Sequence, residues 1–151
     1  MFTLINVWAV LVAAVVSYLI GWAWYSPILW QKPYMEAKGP ADQTWWNEHG
    51  KKEMPRMMLY GFVNTLAMAF VIAVFMALTG VSTLLEYFQV AMLLCFGFVV
   101  TVKFNDLLYT HNPPHWGRRA QLAFFIDVGY QIALFLTTAA ILWYMSQGAM
   151  M

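Results

Sequence analysis

The chain is poor in charge and in cysteine, and each shortage excludes a class of protein. Of its 151 residues, 10% are charged and 62% are hydrophobic, whereas soluble domains average about 25% charged and about 45–50% apolar. A net charge of +1 provides no polybasic surface for nucleic acid. The single cysteine, Cys95, excludes a disulfide framework and a CxxC pair. The composition is therefore that of a membrane protein and not of a soluble or nucleic-acid-binding domain.

Sequence motifs of catalysis and metal binding are also missing. No GxSxG, HExxH, Walker or GxGxxG pattern is present. His111 and His115 are four residues apart, but the two prolines between them prevent a helix from aligning their rings. A metal site needs three or four convergent ligands. We predict that the protein is not an enzyme and holds no metal or cofactor.

Long hydrophobic runs are what the chain does contain. A helix needs roughly 20 apolar residues to cross about 30 Å of hydrocarbon. Four runs are long enough, at about residues 4–25, 57–79, 84–108 and 120–145. The first run exceeds the ~7–15 residue core of a signal peptide and has no Lys or Arg before it, so we expect it to be retained. The sequence predicts an all-α fold, a polytopic integral membrane four-helix bundle forming a single domain over residues 1–151.

The basic residues predict the orientation of these spans. All eight Lys and Arg lie in the loops 26–56 and 109–119 or, for Lys103, near the same membrane edge. By the positive-inside rule this side is cytoplasmic. The protein would then consist of two antiparallel hairpins with both termini on the non-cytoplasmic side. The loop 26–56 is the one sizeable polar segment, and its composition fits either a structured cap at the membrane surface or a solvated linker.

Two of the predicted spans carry small residues every four positions. Such stripes let helix backbones approach closely in lipid, where the hydrophobic effect contributes little to helix association. They predict that spans one and two pack on each other, although either stripe could instead face another subunit. The stripes consist of Ala9, Ala13, Ser17 and Gly21 in span one, and of Gly61, Thr65, Ala69 and Ala73 in span two.

Polar residues recur at one depth inside the spans. Asn64 and Asp127 each lie seven residues from the cytoplasmic end of their span, about 10 Å deep at ~1.5 Å per residue. Lys103 lies at a similar depth in span three. The predicted intramembrane polar site comprises Asn64, Lys103, Asn105, Asp106, Asp127, Tyr130 and Gln131.

The sequence leaves the role of this polar site open. An Asp or Lys at a helix centre costs roughly 2.5–3.5 kcal/mol, and pairing Asp127 with Lys103 would avoid much of that cost. Intramembrane ionisable residues are functional candidates by default, but a structural ion pair with Asn64 and Tyr130 as hydrogen-bond partners fits equally well. Lys103 could also extend to the membrane interface.

Three segments carry a resemblance to a known family. They are "GWAWYSPILWQKPYM" from Gly21, "FNDLLY" from Phe104 and "GRRAQLAFFIDVGYQIALFLTTAAILW" from Gly117. Together they resemble the small bacterial membrane proteins catalogued as the domain of unknown function numbered 1761. The most specific parts are Trp24-Tyr25-Ser26-Pro27 and Asp127-x-Gly129-Tyr130. The resemblance implies a four-span protein of the bacterial inner membrane, and it implies no catalytic residues.

Two functions are compatible with these observations. The first is a non-catalytic accessory or scaffold subunit that assembles with itself or with a larger membrane complex in the lipid bilayer. The second is an oligomeric proton-linked transporter or channel that uses the polar site around Asp127. A pathway needs a water-filled cavity that reaches Asp127, whereas a scaffold buries this carboxylate dry.

Overall fold

The structure, a computed structural model, describes residues 5–109 and 117–148. No strand occurs in these two ranges, and four helices are long and apolar enough to cross a membrane. The prediction of an all-α protein with four candidate spans is therefore confirmed. The helices are α1 (Val7–Trp24), α2 (Gln31–Lys38), α3 (Pro40–Thr79), α4 (Leu84–Leu94), α5 (Thr101–Tyr109) and α6 (Arg118–Gly148), with a π-helical segment at Cys95–Val100 between α4 and α5.

Local capping chemistry fixes two of the helix starts. The side chain of Asn6 accepts a hydrogen bond from the amide of Ala9 at the start of α1. Thr83 and Glu86 form a reciprocal capping box at the start of α4, which satisfies amide groups that have no partner within the helix. Gly80 ends α3 with φ 64°, a left-handed conformation that glycine adopts without steric cost. Gly80, Thr83 and Glu86 thus determine where α3 ends and where α4 begins.

The segment 26–56, predicted as a loop, is mostly helical. It contains α2 and the first part of α3, which has 40 residues and is therefore about 60 Å long. Pro33 and Pro40 lie in the first turns of their helices, where the missing proline amide removes no hydrogen bond. Gly39, with φ 98°, makes the break between α2 and α3. Pro33 and Pro40 therefore lie where helices begin, whereas Pro55 lies in the interior of α3.

Helix α6 lies at the centre of the packing. It contacts α1, α2 and α4, while α3 packs against α1. The interior is rich in small side chains that are almost fully buried, which permits close approach of the backbones. These include Ala9, Ala13, Ala14, Ala69, Ala91 and Ala139. Large apolar side chains such as Leu93 and Phe98 point outward, as expected of surfaces that contact lipid.

The stripe of small residues on α1 contacts two neighbouring helices, α3 and α6. Ser17 Oγ lies 3.0 Å from Thr138 Oγ1 of α6, and a β-carbon at Gly21 would lie 2.6 Å from the hydroxyl oxygen of Tyr130. On the α3 side, a β-carbon at Gly61 would lie 3.4 Å from the Tyr18 ring. Spans one and two do pack together, but the second half of the α1 stripe faces α6.

Candidate functional site

Asp127 lies on the inward face of α6 and has two partners, one from the turn after α1 and one from α5. Its Oδ1 accepts a hydrogen bond of 2.7 Å from the Tyr25 hydroxyl. Its Oδ2 lies 3.1 Å from Lys103 Nζ in an ion pair. The Asp127 side chain is 14% exposed, against 36% for Lys103. Both carboxylate oxygens are thus engaged in a largely buried setting, where charge-assisted hydrogen bonds are strong.

Tyr25 is held in place by the tight turn that follows α1. Ser26 is buried, and its hydroxyl donates to the carbonyl of Ala23 at 2.7 Å and accepts from the amide of Ile28 at 3.3 Å. The backbone carbonyl of Ser26 accepts from the amides of Leu29 and Gln31. Serine is suited to such turns because its short side chain can hydrogen-bond nearby backbone groups.

Trp24 joins the end of α1 to α6. Its indole Nε1 donates to the Ile126 carbonyl at 3.2 Å. The indole ring covers Gly129, where a β-carbon would lie only 3.1 Å from Trp24 Cζ2. Glycine at position 129 therefore makes room for the ring, which explains why a tryptophan and a glycine occur in these two segments.

Tyr130 completes the aromatic packing around the carboxylate. Its ring meets the Tyr25 ring edge to face, with centroids 5.4 Å apart, a geometry that aromatic pairs prefer. Its hydroxyl lies over Gly21 of α1. The Tyr34 ring of α2 also packs against Tyr25, with ring centroids 4.9 Å apart. We refer to Trp24, Tyr25, Lys103, Asp127 and Tyr130 together as the Asp127 cluster.

The π-helical segment brings Lys103 into this cluster. The buried side chains that lead into it are those of Tyr87, Ala91 and Leu94, followed by Cys95 at its first position. Regular α-helical spacing would continue that stripe through Phe98, Val102 and Asn105, yet all three are exposed. The wider turn accommodates an additional residue, so the inward stripe moves by one position to Lys103 and Leu107. Without the additional residue, regular α-helical spacing would turn Lys103 by about 100° from the inward stripe.

A polar cavity of about 350 Å³ lies beside the ion pair. Two basic and two acidic side chains line it, together with an apolar wall. The lining consists of Lys38, Lys103, Asp106, Leu107, Ala123, Phe124 and Asp127. Lys38 comes from the end of α2, so three helices contribute to the cavity. Among the residues that the structure describes, no group of three or more His, Cys, Asp or Glu is arranged to hold a metal ion.

Several residues of the predicted polar site lie elsewhere. Asn64 and Asn105 share the depth of Asp127 in the sequence, but both side chains are exposed. The prediction from depth ignored the helix face: Thr65, and not Asn64, is buried on α3. Gln131 is partly buried, and its Oε1 has no hydrogen-bond partner within residues 5–109 and 117–148. The pair His111 and His115 lies outside the described residues.

Two residues near Asp127 were not identified as such from the sequence: Tyr25, its hydrogen-bond partner, and Lys38, which lines the cavity. Tyr25 was recognised only as part of a specific segment, and Lys38 only as a loop charge. A usable signal existed for Tyr25, because the end of span one and Asp127 lie at the same side of the membrane. No sequence signal indicated Lys38, since α2 was not predicted.

No curated protein and no solved structure matches the chain. A family model described as "Protein of unknown function (DUF1761)" matches residues 8–143. This range contains both segments that meet in the Asp127 cluster. The chain is therefore a member of the DUF1761 family.

Proposed function

We propose that the protein is a non-catalytic integral membrane protein that assembles with itself and serves as an accessory or scaffold subunit in the bacterial inner membrane. The observation that carries this proposal is that both oxygens of Asp127 are engaged by Tyr25 and Lys103. A carboxylate bound in this way stabilises the junction of three helices. This role requires no substrate and no reacting group.

The two most specific segments of the sequence support the same reading. Trp24 and Tyr25 contact the segment that contains Asp127, Gly129 and Tyr130. The hydrogen-bonded residues are 102 positions apart in the sequence, yet the two segments form one contact. Specific residues that are used to fix helix positions are what a structural subunit needs.

Self-assembly is supported by the outward position of Asn64. This amide lies on an exposed face of the apolar part of α3, where lipid offers no hydrogen-bond partner. A carboxamide carries both donors and an acceptor, so two copies related by a two-fold axis can satisfy each other. Asn side chains that hydrogen-bond across helices are a known contribution to association in membranes.

The assembly can be tested by replacing Asn64 in the full-length protein. Asn64→Leu should shift the protein toward monomer when subunits are counted by single-molecule photobleaching in liposomes. Asn47→Leu is the matched control, because it removes the same amide from an exposed position in the polar first part of α3. A wild-type protein that is monomeric at all densities, or an equal effect of the two variants, would exclude self-assembly through Asn64.

The polar cavity favours a second candidate function. It reaches Asp127, as an oligomeric proton-linked transporter or channel would require. The four candidate spans of one chain give only a small bundle, so a pathway would need several copies. Proton flux into liposomes distinguishes the two functions: pH-dependent flux that Asp127→Asn abolishes without loss of fold supports transport, and absence of flux in the folded wild type supports the scaffold.

A further inference from the structure

A second cavity, of about 790 Å³, lies between the end of α1, helix α2 and the first part of α3. It shares no lining residue with the polar cavity beside Asp127. Its walls are mostly apolar, and they include the rings of Trp22, Tyr25, Tyr34 and Trp46. Binding sites for small ligands have such walls and volumes of about 300–1,000 Å³.

One end of this cavity lies where the apolar segments of α1 and α3 end. The Tyr18 hydroxyl of α1 donates to the Met58 carbonyl of α3 at 2.9 Å, which aligns the two helices. Trp22 and Met54 lie one helical turn further toward the cavity, and both line it. Both side chains are also exposed, so an apolar chain can reach this end from the surface that α1 and α3 present to lipid.

Two side-chain amides line the cavity outside the apolar segments. Gln43 precedes Met54 by eleven residues in α3, which is about 16 Å along the helix. Its Nε2 donates to the Met35 carbonyl at 3.0 Å, which holds the amide in place and leaves its oxygen available to a ligand. The Gln31 amide of α2 is exposed, and it has no hydrogen-bond partner among the residues that the structure describes. The cavity therefore combines an apolar end with uncharged polar groups.

The charged side chains of the lining offset each other. Lys32 and Glu36 lie four residues apart on α2, a spacing at which opposite charges on a helix attract. The hydroxyls of Tyr25 and Ser26 are already used, since both donate hydrogen bonds within the chain. The polar groups left for a ligand are thus mainly the amides, which both donate and accept hydrogen bonds. Hydroxyl groups do the same, so a hydroxylated group complements them.

We propose that this cavity binds one membrane lipid with an uncharged, hydroxylated head group, such as a glycosyl diacylglycerol. The hydroxyl groups bind the amides of Gln31 and Gln43, and an acyl chain packs against Trp22 and Met54. The Trp46 ring, which lies between Gln43 and Met54 on α3, contacts the carbon atoms that join the head group to the chain. Binding at this site requires neither self-assembly nor a proton pathway.

Lipid binding to delipidated, full-length protein tests this proposal. Native mass spectrometry compares three lipids with the same acyl chains: a glucosyl diacylglycerol, the same lipid with its hydroxyl groups methylated, and a choline phospholipid. The site variants are Gln31→Leu and Gln43→Leu. The matched control is Gln89→Leu, because it removes the same amide from an exposed position of α4 outside the cavity.

A glucosyl lipid with a photoreactive group in its acyl chain locates the chain. Cross-links mapped by mass spectrometry should fall on Trp22 and Met54, and unlabelled glucosyl lipid should displace them more effectively than choline lipid. Cross-links to the outward side chains of Leu93 and Phe98 report the lipid that surrounds the protein. Those cross-links should decrease equally with either competitor.

The wild type should bind the glucosyl lipid about tenfold more tightly than the other two lipids, since one or two hydrogen bonds contribute on that order. Gln31→Leu and Gln43→Leu should each lose most of this preference. Gln89→Leu should keep it.

Equal affinity of the wild type for all three lipids would overturn the proposal, as would a preference that both site variants keep. Methyl glucoside that binds as tightly as the lipid would contradict the role of the acyl chain. If Gln43→Leu fails to fold without its hydrogen bond to Met35, Gln31→Leu decides, because the Gln31 side chain is exposed.

Discussion

Removing the charge of Asp127 should destabilise the bundle through Lys103. In Asp127→Asn, the amide oxygen can still accept the hydrogen bond of Tyr25, but the amide nitrogen would face the Lys103 ammonium. Two donors would then oppose each other at the present 3.1 Å contact. The ammonium would lose its counterion in a site of low polarity.

The structure sets the size of this effect. Breaking a buried ion pair by removing one partner costs about 3–5 kcal/mol. The Lys103 side chain is 36% exposed, so its charge keeps part of its hydration and the cost is smaller. We expect Asp127→Asn to lower the free energy of unfolding by about 2–3 kcal/mol.

A second substitution tests the cause of this loss. In the double variant Asp127→Asn with Lys103→Met, neither charge has to be desolvated, so half or more of the lost stability should return. Reversible unfolding in detergent, followed by helical circular dichroism, measures all three proteins. A double variant no more stable than Asp127→Asn would refute the ion-pair explanation.

Three further predictions follow from the packing and the topology. Gly21→Ala should lower the unfolding free energy by about 1–3 kcal/mol, because its β-carbon would meet the Tyr130 hydroxyl. Gly97→Ala should leave the unfolding free energy unchanged, since a β-carbon there would have no neighbour within 4 Å. Thermal unfolding of both variants checks this, and equal effects would contradict the packing. Gly61→Leu should displace Tyr18 and break its 2.9 Å hydrogen bond to the Met58 carbonyl. Gly61→Ala should be tolerated, because its β-carbon would lie 3.4 Å from the Tyr18 ring. The melting temperature should therefore fall in Gly61→Leu and not in Gly61→Ala. Cysteine labels at Lys51 and Gln147 should show opposite accessibility in intact cells if the basic segments are cytoplasmic, and labelling from the same side would overturn the proposed orientation.

Hydropathy predicted the four candidate spans because an apolar run of about 20 residues is long enough to form a membrane-crossing helix. The end of α1 was predicted at residue 25 and is observed at Trp24. The segment 26–56 was predicted less well, since proline interrupts a helix but also starts one. Helix α2 and the first part of α3 depend on that distinction, and Lys38 therefore escaped detection.

In the candidate site, the sequence predicted the depth of a residue in the membrane but not the helix face on which the residue lies. Depth along a span is linear in sequence, so Lys103 and Asp127 were placed at one level. Which face a residue occupies depends on the helical phase, and the π-helical segment at Cys95–Val100 changes that phase in the middle of a span. Asn105 was included and is exposed for this reason, while the regular phase of α3 turns Asn64 outward beside the buried Thr65.

The contact between Tyr25 and Asp127 can be measured directly in lipid. The chain has eight tyrosines, but its aspartates are only Asp42, Asp106 and Asp127, which simplifies solid-state NMR with ¹³Cζ-labelled Tyr and ¹³Cγ-labelled Asp. We predict a strong direct cross-peak between the two labels in bilayers, lost in Tyr25→Phe. A spectrum without this peak, or one that Tyr25→Phe leaves unchanged, would contradict the proposed joining of the two segments through Asp127.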